Sequence, residues 1–240
     1  KFTNVDICNA LAGAPLLFQP GEGWRYGISA DIAAGIVEVA AGISYGEFLQ
    51  KEIFEPLEMK DTGFYVKEPD RLAVMYSRDQ NGVLHEADEK ALAWLNLYAP
   101  DKPPYIESGG GGLYSTLEDY RHFVRMLSDD GVFRGKRILG RKTVDYIRTS
   151  QLNEEQKKWV NLTAFEGYGY GNFMRVMINP AEGGSNGSVG EYGWDGLAGS
   201  YFMIDPEEKL TLIYMQQIEQ GGDLSLRRKM RQIVYGALED

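Results

Sequence analysis

One cysteine, Cys8, stands in 240 residues. That excludes an intrachain disulfide and a thiolate metal cluster, and it leaves the redox compartment open. Histidine is almost as scarce. His85 and His122 are the only two, neither belongs to a His-Glu-x-x-His pair or neighbours a candidate nucleophile, and both read as surface or helix-face residues. No apolar run approaches the roughly 20 residues that span a bilayer, and Lys1 to Asn9 lack the apolar core of a signal peptide. Positive charge is the minority sign, with 25 Lys and Arg against 35 Asp and Glu for a formal net charge of -10. The basic residues never gather into a stripe with interleaved aromatics, which argues against nucleic acid as a partner. There is no Gly-x-Ser-x-Gly elbow, and the Gly109 to Gly112 run lacks the Gly-Lys-Ser/Thr ending of a phosphate loop. These absences argue against nucleotide chemistry, and no metal or organic cofactor is implied.

What is present suits a packed core, since 43% of residues are hydrophobic and 12% aromatic. The N-terminus opens without a clear element start. Pro20-Gly21-Glu22-Gly23 is turn chemistry, after which Ser29 suits an N-cap with Asp31 in the first turn of a helix over about 30–41. Apolar residues nearly encircle that helix, so it is expected to be buried. Ser44 and Glu47 form a capping box for a second helix through Phe54. The pattern weakens from Met59 to Pro104, where short pieces around 71–76 and 82–85 suggest a hairpin. Thr116 then caps a helix carrying Tyr120, Phe123, Val124 and Leu127, followed by shorter helices over about 141–149 and 153–159. The last third reads as sequential antiparallel strands over 168–178, 199–204 and 210–216. A final helix over 224–238 is expected to bury Leu226, Met230, Ile233, Val234 and Leu238. Helices, then a meander, then one covering helix predict an α+β fold, with a helical region over about 29–165 and the sheet and last helix over about 168–240.

Gly190-Glu191-Tyr192-Gly193-Trp194-Asp195-Gly196-Leu197-Ala198-Gly199, running into Ser200 to Pro206, is the densest glycine stretch before an apolar strand. It reads either as the rim of a site, where main-chain N–H groups approach a ligand, or as a hairpin connection using positive φ. Its company decides. Pro15 to Tyr26, Ile53-Phe54-Glu55-Pro56-Leu57-Glu58-Met59-Lys60-Asp61-Thr62-Gly63-Phe64, Gly110 to Tyr120 and Gly193 to Pro206 resemble, in order, four stretches of the serine β-lactamase superfamily, in its broad sense of class C β-lactamases, D-Ala-D-Ala carboxypeptidases and related bacterial esterases. The resemblance implies a β-lactamase/transpeptidase-like fold, an antiparallel sheet flanked by helices.

By that resemblance Tyr26 is the general base, taking a proton from a serine hydroxyl and returning it to the leaving group. The backbone N–H of Leu197 corresponds to an oxyanion donor, and Ile28, Trp194, Asp195 and Gly196 line the substrate. Trp194-Asp195-Gly196 falls where many relatives carry Lys-Thr-Gly or His-x-Gly. The departure removes the cation that pairs with a penicillin or D-alanyl carboxylate, and Asp195 adds a negative charge. Ile28 likewise replaces the Asn that penicillin-active relatives usually carry two residues after the tyrosine. The resemblance therefore implies a carboxylic ester hydrolase acting on a small-molecule ester or amide, ahead of a β-lactamase or D-alanyl carboxypeptidase.

The family's Ser-x-x-Lys nucleophile is missing, because no serine here has lysine three residues on. In relatives that motif lies well before the tyrosine, and only twenty-five residues precede Tyr26. The sequence is thus expected to be the C-terminal part of one hydrolase domain, incomplete at its N-terminus and completed by a complementary N-terminal segment. An inactive relative that binds peptide or cell-wall fragments is the competing expectation.

Overall fold

The computed structural model describes residues 3–88, 100–160, 162, 165–222 and 224–239. They form two compact units between which the chain passes several times, the first comprising 1–17, 27–126 and 217–219, the second 18–26, 127–216 and 220–240.

The first unit is mainly helical. Helix α1 (Asn4–Leu11) starts at Thr3, whose hydroxyl accepts from Asp6 N–H while Asp6 accepts from Thr3. This reciprocal cap gives the N-terminus an element start where none was expected; its sequence mark is Asp6 three residues after Thr3. Helix α2 (Ser29–Ala41) begins one residue earlier than expected, with Ile28 rather than Ser29 at the cap, and ends on Gly42 with φ 71°. A Cβ on Gly35 would lie 2.6 Å from Cys8 Sγ, so glycine lets α1 and α2 approach. Helix α2 is not enclosed among the described residues: Ile36 is 63% and Val39 72% exposed. The Ser44 and Glu47 capping box holds, starting α3 (Tyr45–Leu49), which continues as a π turn over Gln50–Phe54.

A short 3₁₀ turn (Pro69–Arg71) precedes a hairpin of β1 (Tyr76–Arg78) and β2 (Leu84–Glu86), shifted C-terminally from expectation. Helix α4 (Leu117–Ser128) is capped by Thr116, whose hydroxyl accepts from Asp119 N–H at 3.2 Å. Asp119 is buried and accepts from the N–H of Asp61 at 2.7 Å and from Thr62 Oγ1 at 2.8 Å. Gly63 and Tyr114 bridge through their backbones. The Met59–Phe64 and Gly112–Tyr120 stretches therefore form one interlock around a buried carboxylate, satisfied as burial requires. His122, read as a surface or helix-face residue, is buried on α4 with Nδ1 2.9 Å from Leu57 O.

The second unit carries the sheet. Strands β3 (Val132–Phe133) and β4 (Lys136–Arg137) make a small hairpin, followed by α5 (Arg141–Ile147) and α6 (Glu154–Lys157), the latter capped by Asn153. Five antiparallel strands follow in sequence order: β5 (Tyr168–Tyr170), β6 (Arg175–Met177), β7 (Tyr192–Asp195), β8 (Tyr201–Asp205) and β9 (Leu210–Tyr214), with the short helix α7 (Pro180–Gly183) between β6 and β7. The expected single strand over 168–178 is thus two strands, divided at Gly171, where a Cβ would lie 2.0 Å from Ile147 O. Register places Trp194 opposite Phe202 and Tyr192 opposite Ile204 on one face; Gly193, Asp195, Tyr201, Met203 and Asp205 point to the other.

Helix α8 (Leu224–Tyr235) covers that second face in an unexpected way. Its buried residues are Arg227, Arg231 and Tyr235, while Ile233 is 72% exposed. The positions i, i+4 and i+8 share one helix face, and here that face is charged. Tyr235 Oη donates to Asp205 Oδ2 at 2.6 Å and lies 3.0 Å from Glu191 Oε2; Arg231 pairs with Glu191 and donates to Tyr168 Oη. Burying a guanidinium requires such a carboxylate partner, and Glu191, immediately before β7, supplies it for Arg231.

Candidate active site

Within the second unit, residues 18–26 are fastened by side-chain contacts. Gln156 Nε2 donates to Gly21 O at 2.8 Å, and Phe18 meets the Trp159 ring at 5.1 Å between centroids. A Cβ on Gly23 would lie 2.9 Å from the Trp159 ring. Trp24 then enters an aromatic cluster, 5.1 Å from Phe165 and 4.7 Å from Tyr170. Trp194 on β7 joins the cluster, 6.0 Å from Phe165 and 5.8 Å from Tyr170.

Tyr26 joins this cluster through Trp194. Its ring stacks on Trp194 with centroids 5.9 Å apart and planes 26° from parallel, and the residue stays 50% exposed. Two phenols thus flank one indole in different surroundings. Burial, and then the neighbouring Tyr26, push the Tyr170 phenol up to about 12, so Tyr170 keeps its proton at neutral pH. Tyr26 is the more exposed of the two.

The glycine stretch read as either a site rim or a hairpin connection is a strand and a tight turn. Gly193 lies inside β7 because a Cβ there would sit 2.1 Å from Phe202 O. After Asp195 the chain turns through 196–199 into β8. Gly196 N–H donates to Ser200 O at 2.8 Å and Gly199 N–H to Gly196 O at 2.9 Å. Leu197 N–H takes part in neither bond, and the residue is 53% exposed. Gly199 has φ 95° and a Cβ there would lie 1.8 Å from Gln216 Nε2, so only glycine fits.

The sequence reading set the charge of Asp195 against the substrate. In the structure its carboxylate is engaged by Arg175 Nη2 at 2.7 Å and by Arg227, both guanidiniums being nearly enclosed. The extra negative charge is therefore compensated inside the layer between sheet and α8. Arg175 also lies over the Trp194 ring at 5.3 Å and the Tyr168 ring at 5.7 Å. Sequence reasoning missed Arg175, Arg227, Phe165 and Tyr170 as neighbours of the site; the Arg227–Arg231 spacing of four was the available signal. Ile28, the remaining candidate, belongs to the first unit, where it is 51% exposed at the cap of α2. In that unit the Gly109 to Gly112 run is fixed at Gly109, whose Cβ would lie 2.1 Å from Ala30 O. Ser108 Oγ donates to Asp31 Oδ1 at 2.5 Å beside it.

Residues 2–235 match the Beta-lactamase family. The chain belongs to that family. Among relatives, the Mycobacterium tuberculosis (strain H37Rv) protein Rv1367c is 34% identical over 226 residues, covering 90% of this chain and 54% of its own length. Esterase EstB of Burkholderia gladioli is 28% identical over 236 residues, covering 94% of this chain and 57% of its own length. The solved structure of EstCE1, a hydrolase with promiscuous acyltransferase activity, superimposes with a TM-score of 0.81 over 98% of this chain and 62% of that one, at 23% identity. The chain thus spans little more than half the length of these Beta-lactamase family relatives, and its fold is the β-lactamase/penicillin-binding-protein type, an α+β arrangement.

Proposed function

We propose that this chain is the C-terminal part of a serine hydrolase that cleaves carboxylic esters through an acyl-enzyme, its nucleophile supplied by a Ser-x-x-Lys segment outside this sequence. The observation that carries the reading is the half-exposed Tyr26 phenol stacked on Trp194, one residue before Asp195 and the turn bearing Leu197. In this scheme the Tyr26 oxygen, with the lysine, takes the serine proton as the serine oxygen attacks the ester carbonyl. The Leu197 N–H donates to the resulting oxyanion, and the proton passes to the departing alcohol. Water then cleaves the acyl-serine by the same path, or a second alcohol accepts the acyl group. One well-placed oxyanion donor contributes roughly 3 to 4 kcal/mol.

An uncharged ester is favoured over a lactam or D-alanyl carboxylate because the two guanidiniums near Trp194 both pair with Asp195. The similarity to EstB, an esterase by name, supports the same choice. The test uses the complete gene product. It should react covalently with a fluorophosphonate probe and hydrolyse short p-nitrophenyl esters. Absence of both reactions in folded protein overturns the proposal in favour of an inactive binder.

A further inference from the structure

Resting on the ester-hydrolase reading, we infer that Arg175 and Arg227 are positioning residues which, through Asp195, hold the 196–199 turn in register for catalysis. The turn has glycine at both ends, and glycine gives the backbone its widest freedom. Its two internal hydrogen bonds close it on itself and onto Ser200 but anchor it to nothing on the β6 side. Asp195 is the last residue of β7 before the turn. Its Oδ2 is gripped by one guanidinium from β6 and one from α8, joining three elements at a single oxygen. Arg175 is further fixed between the Tyr168 and Trp194 rings, and Arg227 lies over the Tyr201 ring at 5.8 Å. Both guanidiniums are therefore held from two directions, as a rigid clamp requires. An oxyanion donor works only when preorganised, and a displacement of about 1 Å costs on the order of 100-fold in rate.

The charge balance agrees. In the layer between the sheet and α8, Arg175 and Arg227 share Asp195, Arg231 pairs with Glu191, and Asp205 accepts from Tyr235. Asp195 is the member of this set adjoining the turn, which gives a reason for an aspartate at that position.

The test uses the complete protein with a p-nitrophenyl ester, comparing Asp195→Asn, Arg227→Lys and, as a neighbouring control, Arg228→Gln, whose side chain is 42% exposed. Asn keeps the size of Asp but not its charge; Lys keeps the charge but not the planar fork. The expected result is a kcat about 10- to 100-fold lower for Asp195→Asn, a smaller loss for Arg227→Lys, KM within about twofold, and an unchanged control. Circular dichroism should stay native in all three. An active wild type with kcat retained in both clamp variants overturns the clamp while leaving the hydrolase reading intact. Failure of both variants to fold assigns Asp195 a purely structural part and equally overturns it. A wild type that is neither labelled nor active is a different outcome, which removes the hydrolase reading on which the clamp rests.

Discussion

Tyr26 presents a hydroxyl at the rim of a ring that is otherwise engaged by Trp194, so the ring and the oxygen can be tested separately. Tyr26→Phe deletes the oxygen and keeps the stack. In the complete protein it should lower kcat by about 100-fold or more, the usual range for loss of a general acid-base group, with the melting midpoint moved by less than about 2 °C. Normal turnover in the variant would assign Tyr26 to packing alone. Gly199→Ala tests the turn in the opposite sense. Its φ of 95° and the Gln216 amide 1.8 Å from a built Cβ oppose any side chain, so a destabilisation of about 1 to 3 kcal/mol is expected by urea titration.

At the scale of elements, α8 is where charge and packing meet. Removing Arg231 leaves Glu191 buried without its cation, and Arg231→Met should cost about 3 to 5 kcal/mol at neutral pH. The pH dependence has a definite sign. Burial raises the Glu191 carboxyl above the ordinary range even with Arg231 beside it, so its contribution to stability is complete below the unfolded carboxyl pKa and is lost as pH rises through the folded one. Deleting Arg231 takes away a group that favours the charged form, so the penalty should grow as pH rises from about 4 to 7 and shrink in acid. Asp205 runs the other way. Burial alone would raise its carboxyl, but hydrogen bonds from Tyr235, Ser188 and Glu208 hold it lowered, and its stabilisation is lost as pH falls. Asp205 is present in both proteins, so comparing denaturant midpoints of variant and wild type across pH isolates Glu191. A penalty that is flat with pH would contradict this account. The same helix shows what a sequence conveys. Aromatic and β-branched residues between turn glycines announced β8 and β9, and Ser44 and Thr116 announced their helices, because those signals are local; β7 lay inside the glycine stretch and was not marked as a strand. The buried face of α8 was misread because Arg227 and Arg231 are stable inside only through Asp195 and Glu191, which local periodicity does not reveal. Tyr26 and Trp194 were legible as a pair through family resemblance, whereas the guanidiniums behind Trp194 required coordinates.

For the whole molecule, surface chemistry sets behaviour in solution. A net charge of -10 favours dispersal, but α2 carries Ile32, Ile36 and Val39 at spacings of four and three, all exposed, with Ile36 and Val39 at 63% and 72%. Those spacings align the three on one helical stripe. Its acidic residues offer no screen there, since Glu38 is bonded to Asn4 and Asp31 to Ser108. An apolar stripe of this kind in water promotes association. Residues 1 to 240 expressed alone should therefore elute larger than a monomer and bind anilinonaphthalene sulfonate. The double variant Ile36→Lys, Val39→Lys should shift the elution toward the monomer and weaken dye binding without changing helix content, because both side chains already face solvent. Light scattering coupled to gel filtration decides the matter. A monomeric, cooperatively melting wild-type chain without dye binding would show that the stripe is covered within the chain itself.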